Sequence, residues 1–274
     1  MNRRTSTQPT KTQPTGYWGR ETALVAQFAA CVSFISFAYY FQHGGLLLYG
    51  DAVAHINIAR RVFDSRTPGL LQLGTVWLPL PHLLMIPFLL SDTAWQSGIG
   101  GSIPSMVAYV LGTAGIFRLA RGVLSVDSQP DSSARIAAWL SAIVYAANPN
   151  LIYLQTTAMT ESLYLALFVW AVVYFSDFVQ QTSPKDGPPT VASSSLFKCG
   201  LCLAAACLTR YDGWFLAAAM CVGAFAMILR RNDPVLRRGA AKFILLAAAA
   251  PMLWLAYNAI IYRNPLEFAN GPYS

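Results

Sequence analysis

The sequence predicts an all-α polytopic membrane protein with about seven transmembrane helices, and three observations support this class. Of its 274 residues, 55% are hydrophobic and 11% are charged, whereas soluble domains carry about 25% charged residues. The apolar residues form runs of roughly 17–25 residues, the length that crosses a bilayer as a helix. The basic residues cluster in some of the segments between these runs, which indicates membrane topology rather than a nucleic-acid-binding surface.

Seven apolar runs are the predicted spans, and the segments around them are more polar. Residues 1–20 lack an apolar core, so they are predicted to form a flexible cytoplasmic tail rather than a cleaved signal peptide. Residues 21–274 are predicted to form a single transmembrane module. The spans are expected at residues 22–42, 103–119, 134–149, 162–179, 196–209, 213–230 and 239–261.

The run 76–90 is apolar but contains three prolines, and at about 15 residues it is short for a span. If it does not cross, 14 of the 19 Lys and Arg residues lie on the cytoplasmic side, as the positive-inside rule favours. We therefore expect the N-terminus inside and the C-terminus outside. Because proline interrupts regular helix, the run 76–90 is expected to lie bent in the outer interface. The expected location is the cytoplasmic (inner) membrane.

This topology gives a long first outer loop, residues 43–102. The loop is predicted to hold two amphipathic juxtamembrane helices, at about 51–64 and 76–90. Asp51 and His55 are four residues apart, so they lie on one face of the first helix. Asp51 is either a functional carboxylate or the N-terminal cap of that helix.

Three other residues of this loop each have two interpretations. Arg60 and Arg61 bind either lipid headgroups or a donor phosphate, since the planar guanidinium of Arg suits phosphate. His82 either extends its polar tip toward the membrane surface or contacts a substrate.

Two shorter outer segments complete the predicted polar surface. Glu161 lies where the second outer loop meets the span 162–179. It either interacts with the helix dipole or, with nearby hydroxyls, binds a hard cation such as Mg²⁺ or Mn²⁺. Arg210 and Tyr211 join two spans, and Arg210 either pairs with Asp212 or is aimed at a lipid phosphate.

The order of these features resembles the GT-C membrane glycosyltransferases, which include protein O-mannosyltransferases and the catalytic subunit of oligosaccharyltransferase. Asp51, in the stretch YGDAVAH, is similar to the catalytic Asp of that family's first outer loop. Residues 77–82, WLPLPH, resemble the start of its second surface helix. Residues 148–161, NPNLIYLQTTAMTE, resemble the approach to its second acidic residue, here Glu161. The resemblance covers the chain from about residue 20.

The resemblance implies transfer of a mannose-like sugar from a polyprenyl-phosphate donor to a protein, lipid or glycan acceptor at the outer membrane face. It implies Asp51 as a general base or cation ligand, and Glu161 as a catalytic carboxylate that ligates or orients the cation. A divalent metal, Mg or Mn, stabilises the phosphate leaving group in such a site. The residues implied to bind substrate or donor phosphate are His55, Arg60, His82, Arg210 and Tyr211.

The sequence departs from the family pattern in three ways. Asp51 has no adjacent acidic partner, Glu161 stands alone, and the sequence ends soon after the last predicted span, where family members continue. A non-catalytic seven-span subunit of a split glycosyltransferase, completed by a second subunit or C-terminal domain, is therefore one rival. The other is a lipid or sugar transporter or flippase, although transporters place charge near the bilayer midplane and the predicted spans carry little charge.

Overall fold

The computed structural model describes residues 19–124, 132–182, 189–229 and 233–272. The predicted tail over 1–20 lies almost entirely outside the described residues. Within them, the regular structure consists of α-helices and short 3₁₀ turns. The helices are α1 (Arg20–Gln42), α2 (Gly50–Arg61), α3 (Leu80–Met85), α4 (Asp92–Gln96), α5 (Ile99–Leu124), α6 (Ser132–Ala146), α7 (Pro149–Leu154), α8 (Glu161–Gln181), α9 (Pro189–Cys207), α10 (Asp212–Leu229), α11 (Pro234–Tyr262) and α12 (Glu267–Asn270).

Six of the described helices are long and apolar enough to cross a membrane. They match six of the seven predicted spans, so the all-helical, multi-pass membrane class is confirmed. Their apolar runs satisfy every backbone group internally, which is why a helix is the form such a run takes in lipid. These six helices are α1, α5, α8, α9, α10 and α11.

The seventh predicted span, 134–149, forms the shorter helix α6, which has 15 residues. The helix ends before Asn148 because Asn148 starts a new one. Its side-chain oxygen accepts hydrogen bonds from the backbone N–H groups of Asn150 and Leu151, at 3.0 and 3.2 Å. Pro149 occupies the first position of α7, where a missing N–H costs little. Within the described residues, six helices rather than seven reach membrane-spanning length.

The run 76–90, in the segment predicted as the first outer loop, is not one continuous helix. Helix α3 begins after Pro79 and gives way to a 3₁₀ turn over Ile86–Phe88, as the prolines predict. The backbone N–H of Leu80 donates to the carbonyl of Leu208, at 3.0 Å. The start of α3 is thereby attached to the turn that follows α9.

The long helices pack side by side, with α5 against α1, α6 and α8, and with α9 against α8 and α11. Small residues let the backbones approach closely. A Cβ at Gly115 of α5 would lie 2.7 Å from Val169 of α8, and one at Gly239 of α11 would lie 2.5 Å from the hydroxyl of Ser193. The bundle therefore depends on glycine at these contacts.

The two ends of the bundle differ in chemistry. At one end, Glu21 pairs with Arg135 and lies 3.8 Å from Arg121, and Arg118 pairs with Asp177 at 2.7 Å. At the opposite end, where α1 finishes and α5 begins, the loop containing α2, α3 and α4 covers the bundle. The predicted site residues gather at this covered end.

Candidate functional site

Helix α2 presents Asp51 and His55 and is fixed to the bundle by its apolar residues. It approaches α5 closely because residue 101 is glycine. A Cβ there would lie 2.6 Å from Ile56 and 2.7 Å from Ala158. Asp51, in the first turn of α2, stays exposed. The buried cluster that holds the helix consists of Ala52, Ile56, Ala59, Met85, Leu89 and Ala158.

Arg60 joins the C-terminal end of α2 to a distant part of the same loop. Its guanidinium donates to Asp64 at 2.7 Å, to the carbonyl of Leu89 at 2.7 Å and to Asp92 at 2.6 Å. These partners occupy the side chain that the resemblance implies for donor phosphate. The structure therefore gives Arg60 a holding role in the loop. The guanidinium also lies 5.1 Å from two ring centres, those of Phe63 and Trp95.

His55 and His82 form a buried pair that links α2 to α3. Nδ1 of His55 lies 2.8 Å from Nε2 of His82, and the ring of Trp77 lies 4.8 Å from that of His55. Burial lowers the pKa of His55 to about 4 and that of His82 to about 3. Both imidazoles are therefore neutral near pH 7. His82 is fully enclosed, so in this arrangement it contacts His55 rather than a ligand.

Arg210 lies between the two acidic residues that sequence reasoning placed near it. Its Nη1 donates to Glu161 at 3.0 Å, and its Nε donates to Asp212 at 3.0 Å. Nη1 also lies 3.4 Å from the hydroxyl of Thr160. The predicted pairing with Asp212 is thus present. Because the same guanidinium also bonds Glu161, it connects the start of α10 with the start of α8. Its side chain remains 37% exposed, which leaves part of the cation open to a ligand.

The charges of Asp51 and Arg210 act on the same buried ring. Asp51 raises the pKa of His55 and Arg210 lowers it, although burial has the largest effect. The geometry also links them: Tyr211, next to Arg210, bonds the carbonyl of Val76, and the following residue, Trp77, packs on His55. Asp51 and His55 share α2, whereas Glu161 and Arg210 come from later parts of the sequence, and all four lie at the covered end of the bundle.

Tyr211 attaches this neighbourhood to the C-terminal helices. Its hydroxyl donates to the carbonyl of Val76 at 3.1 Å and accepts from the indole N–H of Trp254 at 3.1 Å. Its ring stacks on Phe268 with ring centres 4.7 Å apart. Burial raises the pKa of Tyr211 to about 12. The hydroxyl implied to bind substrate is occupied by the protein, so it supports the position of Arg210.

The polar residues that precede Glu161 are bonded within their own turn. The hydroxyl of Thr156 donates to the carbonyl of Tyr153, and that of Thr157 to the carbonyl of Leu154, each at 2.7 Å. Gln155 is enclosed and accepts from Ser33 of α1 at 2.6 Å. The two threonine hydroxyls considered as cation ligands beside Glu161 are thus bonded within their own turn, and Gln155 holds the segment against α1.

The divalent cation that the resemblance implies would depend on Asp51 and Glu161. Among the described residues, no group of three or more His, Cys, Asp or Glu side chains could hold a metal ion. Oε1 of Glu161 is bonded to Arg210, while its Oε2 is enclosed and has no hydrogen-bond partner there. Mg²⁺ is often held by one or two carboxylates plus substrate phosphates. A divalent cation held by Asp51 and Glu161 would therefore need its other ligands from the substrate.

Comparisons with protein-family models, with curated proteins and with solved structures each found no match to this chain. Function is therefore inferred from the chain's own residues, above all from Asp51 and from the ion pair between Glu161 and Arg210.

Two supporting contacts were not predicted from the sequence. Trp77 packs on His55, and Thr75 donates a hydrogen bond to Asn258 of α11. A polar residue in an apolar span usually has a partner or a function. The position of Asn258 in the last apolar run therefore indicated that this residue has a polar partner. Its partner lies 183 residues away, a separation over which no sequence pattern predicts a contact.

Proposed function

We propose that this protein is a GT-C-type membrane glycosyltransferase. It transfers a mannose-like sugar from a polyprenyl-phosphate donor to a protein, lipid or glycan acceptor at the outer face of the cytoplasmic membrane. One observation carries the proposal: the cation of Arg210 is bonded to Glu161 at 3.0 Å, at the same end of the bundle as Asp51 in the first turn of α2. Such a site offers an anion-binding group beside a carboxylate base, as transfer from a lipid phosphate requires.

The proposed topology has seven crossings, with the N-terminus inside and the loop bearing α2 and α3 outside. Two observations support it. Helix α6 packs beside α1 from its first turn, where Arg135 pairs with Glu21, to its last, where Ala146 clusters with Ala29. At about 1.5 Å per residue, α6 is about 22 Å long. The longer helices packed around it span the remaining thickness of the hydrocarbon core. The ion pairs of Glu21 then lie at the cytoplasmic end.

In the proposed reaction, the oxygen of an acceptor hydroxyl attacks the anomeric carbon of the sugar. The bond from that carbon to the phosphate oxygen breaks, and the lipid phosphate leaves with the electron pair. Asp51 accepts the hydroxyl proton as general base. Arg210 binds the departing phosphate, where a fixed cation stabilises the charge that develops in the transition state.

Glu161 has two proposed roles that use its two oxygens separately. Oε1 orients Arg210 through the ion pair. Oε2, which has no partner among the described residues, is free to act as a cation ligand together with Asp51. A bound Mg²⁺ or Mn²⁺ would supply additional charge to the leaving phosphate.

The function is tested by sugar transfer from polyprenyl-phosphate donors, with the protein in membranes or nanodiscs. The wild type is compared with Asp51→Asn and Glu161→Gln, each of which removes a charge without changing the size of the side chain. Asp92→Asn is the matched control, because Asp92 is an exposed carboxylate of the same loop that pairs with Arg60. We expect transfer by the wild type and the control and a loss of at least ~100-fold in the other two variants. Full activity in both would refute the site.

The topology is tested by labelling single cysteines with a membrane-impermeant reagent, in a protein whose own five cysteines are replaced. Thr67 lies in the loop after α2, and Gly122 lies near the end of α5. Both positions are exposed. Thr67→Cys should react from outside intact cells, and Gly122→Cys only after the membrane is opened. Equal labelling of the two in intact cells would contradict the proposed crossing.

A further inference from the structure

A cleft beside the start of α2 has no role in the proposed proton transfer, and three of its side chains are tyrosines. Its volume is about 360 Å³. The residues that line this tyrosine cleft are Tyr40, Leu48, Tyr49 and Tyr153. Tyr40 belongs to the last turn of α1, Tyr153 to α7, and Tyr49 directly precedes α2. The cleft therefore lies at the covered end of the bundle, and Tyr49 is two residues before Asp51.

The backbone between α1 and α2 positions two of the tyrosines. Gly44 has a φ of 68°, a conformation that glycine adopts without strain, and the chain turns there at the end of α1. Gly45 then lies against Tyr40, since a Cβ at Gly45 would be 3.1 Å from Cδ1 of that ring. The carbonyl of Gly45 accepts a hydrogen bond from the hydroxyl of Tyr153, at 2.9 Å. The same turn thus holds both Tyr40 and Tyr153.

The three tyrosine rings are inclined to one another and form the aromatic walls of the cleft. The ring centres of Tyr153 and Tyr40 are 4.7 Å apart, with 60° between the ring planes. Those of Tyr153 and Tyr49 are 5.7 Å apart, with 41° between the planes. Among the described residues, no Lys or Arg stacks on these rings, and no lining side chain is charged. The cleft therefore suits a ligand group without phosphate.

Two of the tyrosines also have hydroxyl groups that a ligand can use. The hydroxyl of Tyr153 is bonded to Gly45. Those of Tyr40 and Tyr49 make no hydrogen bond to the residues that the structure describes, and the Tyr49 side chain is 47% exposed. A phenol hydroxyl both donates and accepts, so these two groups can bond to the hydroxyls of a ligand in either direction.

The matching ligand has apolar faces for the rings and hydroxyl groups for the phenols. A pyranose sugar has both, because the C–H groups on its faces pack against the negative π surface of an aromatic ring. A quaternary ammonium ion also binds aromatic faces, but it forms no hydrogen bonds, and an isoprenyl chain is apolar throughout. The cleft volume is near the lower end of the roughly 300–1,000 Å³ typical of small-molecule pockets, which suits a single sugar ring.

We propose that the tyrosine cleft binds one pyranose ring of a substrate, which stacks on the aromatic rings and bonds through its hydroxyls to Tyr40 and Tyr49. This inference rests on the proposed function, because it names the part of the site that recognises the sugar. Arg210 recognises the phosphate, whereas the tyrosines recognise the neutral sugar.

Binding is measured without an enzymatic assay, by NMR of the full chain in nanodiscs with ¹³C-labelled tyrosine. The probes are methyl α-mannoside, tetramethylammonium chloride and geranyl phosphate, a short isoprenyl lipid without sugar. The sugar is expected to shift the ring signals of Tyr40 and Tyr49 saturably, with smaller shifts from the other two probes. The signal of Tyr174, at the opposite end of the bundle, should not move. No shift with the sugar, or a larger shift with either other probe, would overturn the proposal.

Two substitutions of Tyr49 separate the contribution of the ring from that of the hydroxyl. Tyr49→Phe keeps the ring and loses one hydrogen bond, so the Kd of methyl α-mannoside, followed at the Tyr40 signal, should rise about two- to tenfold. Tyr49→Leu also removes the aromatic face and should raise the Kd by roughly tenfold or more. Tyr39→Phe, at an exposed tyrosine outside the cleft lining, should leave the Kd unchanged. An equal Kd in all four proteins would overturn the site.

A transfer assay separates failure of the cleft from failure of the proposed enzyme. If methyl α-mannoside binds at the tyrosines but no preparation transfers sugar from a lipid donor, the enzymatic function fails while the sugar site stands. In an active preparation, Tyr49→Leu should raise the KM of the sugar substrate. An active Tyr49→Leu variant with the KM of the wild type would overturn the sugar site while the enzymatic function stands.

Discussion

Arg210 and Glu161 are 49 residues apart in sequence and form an ion pair of 3.0 Å at the covered end of the bundle. The pair connects the turn between α9 and α10 with the first residue of α8. Both side chains are roughly one-third exposed, so the pair should contribute only about 0–1 kcal/mol to stability. In the proposed reaction, its role is to hold the cation of Arg210 in place for the donor phosphate.

Replacing Arg210 should therefore affect activity more than stability. We expect Arg210→Gln to lower sugar transfer by at least ~100-fold, the effect of removing one donor to a developing anion. Arg210→Lys keeps the charge but loses the planar fork, so its activity should be intermediate. Transfer rates and thermal unfolding are measured on the same preparations. A Gln variant that unfolds far earlier than the wild type would instead indicate a structural role for the pair.

Arg60 should behave differently from Arg210, although both are arginines at the same end. Because Arg60 is bonded to Asp64, Asp92 and the carbonyl of Leu89, Arg60→Lys should lower the unfolding temperature. It should also speed hydrogen exchange in α2. The KM for the lipid donor should rise less than in Arg210→Lys. A larger rise in the Arg60 variant would restore the donor-phosphate role that the sequence suggested.

The difference between these arginines illustrates what the sequence can and cannot specify. The bounds of α1, α8 and α10 followed from the apolar runs, and the break at Asn148 and Pro149 is a common helix-start pattern. The partners of Arg60 could not be predicted, because Leu89 and Asp92 lie 29 and 32 residues away. Their contact depends on how an irregular loop folds over the bundle. Both arginines were predicted to lie near the membrane surface. The sequence alone therefore made them equal candidates for binding the donor phosphate.

The partners of Tyr211 are also distant in the sequence and could not be predicted. Its hydroxyl joins Val76 to Trp254. Tyr211→Phe leaves the indole N–H of Trp254 without a partner, so we expect a loss of about 1–3 kcal/mol in unfolding free energy. Hydrogen exchange should increase around Val76, since that carbonyl loses its donor. Tyr39→Phe is the control, because the exposed Tyr39 hydroxyl makes no hydrogen bond within the described part of the chain. Equal destabilisation by both substitutions would contradict the tethering role.

Two glycines of α5 provide a matched test of how α2 is seated. A Cβ at Gly101 would overlap Ile56 and Ala158, whereas one at Gly122 meets nothing within 4 Å. Gly101→Ala should cost about 1–3 kcal/mol through overpacking. Gly122→Ala should stabilise the helix by about 0.5–1 kcal/mol, because alanine loses less backbone entropy.

Combining Gly101→Ala with Ile56→Ala should cost less than the sum of the two single changes, since the new methyl group fills part of the space that the side chain of Ile56 leaves. Denaturation in detergent compares the wild type, the two glycine variants, Ile56→Ala and the double variant side by side. A Gly101→Ala variant as stable as Gly122→Ala would mean that α2 is not packed on α5 at this distance.

The buried histidines predict a specific dependence of stability on pH. Their pKa values fall from 6.5 to about 4 for His55 and about 3 for His82, so below pH 6.5 the unfolded chain binds protons that the folded chain does not. Stability should be constant with respect to these groups above pH 6.5. It should then fall as the pH drops toward 4 and 3, because each proton that binds only to the unfolded chain favours unfolding.

The measurement compares unfolding of the wild type with that of His55→Gln/His82→Gln between pH 7.5 and 4. These limits bracket the range in which the unfolded histidines titrate. The double variant cannot titrate at these positions, so its stability should fall less steeply with acid. His43→Gln, at an exposed residue, should follow the wild-type curve. Parallel curves for the wild type and the double variant would show that the two imidazoles are not held neutral by burial.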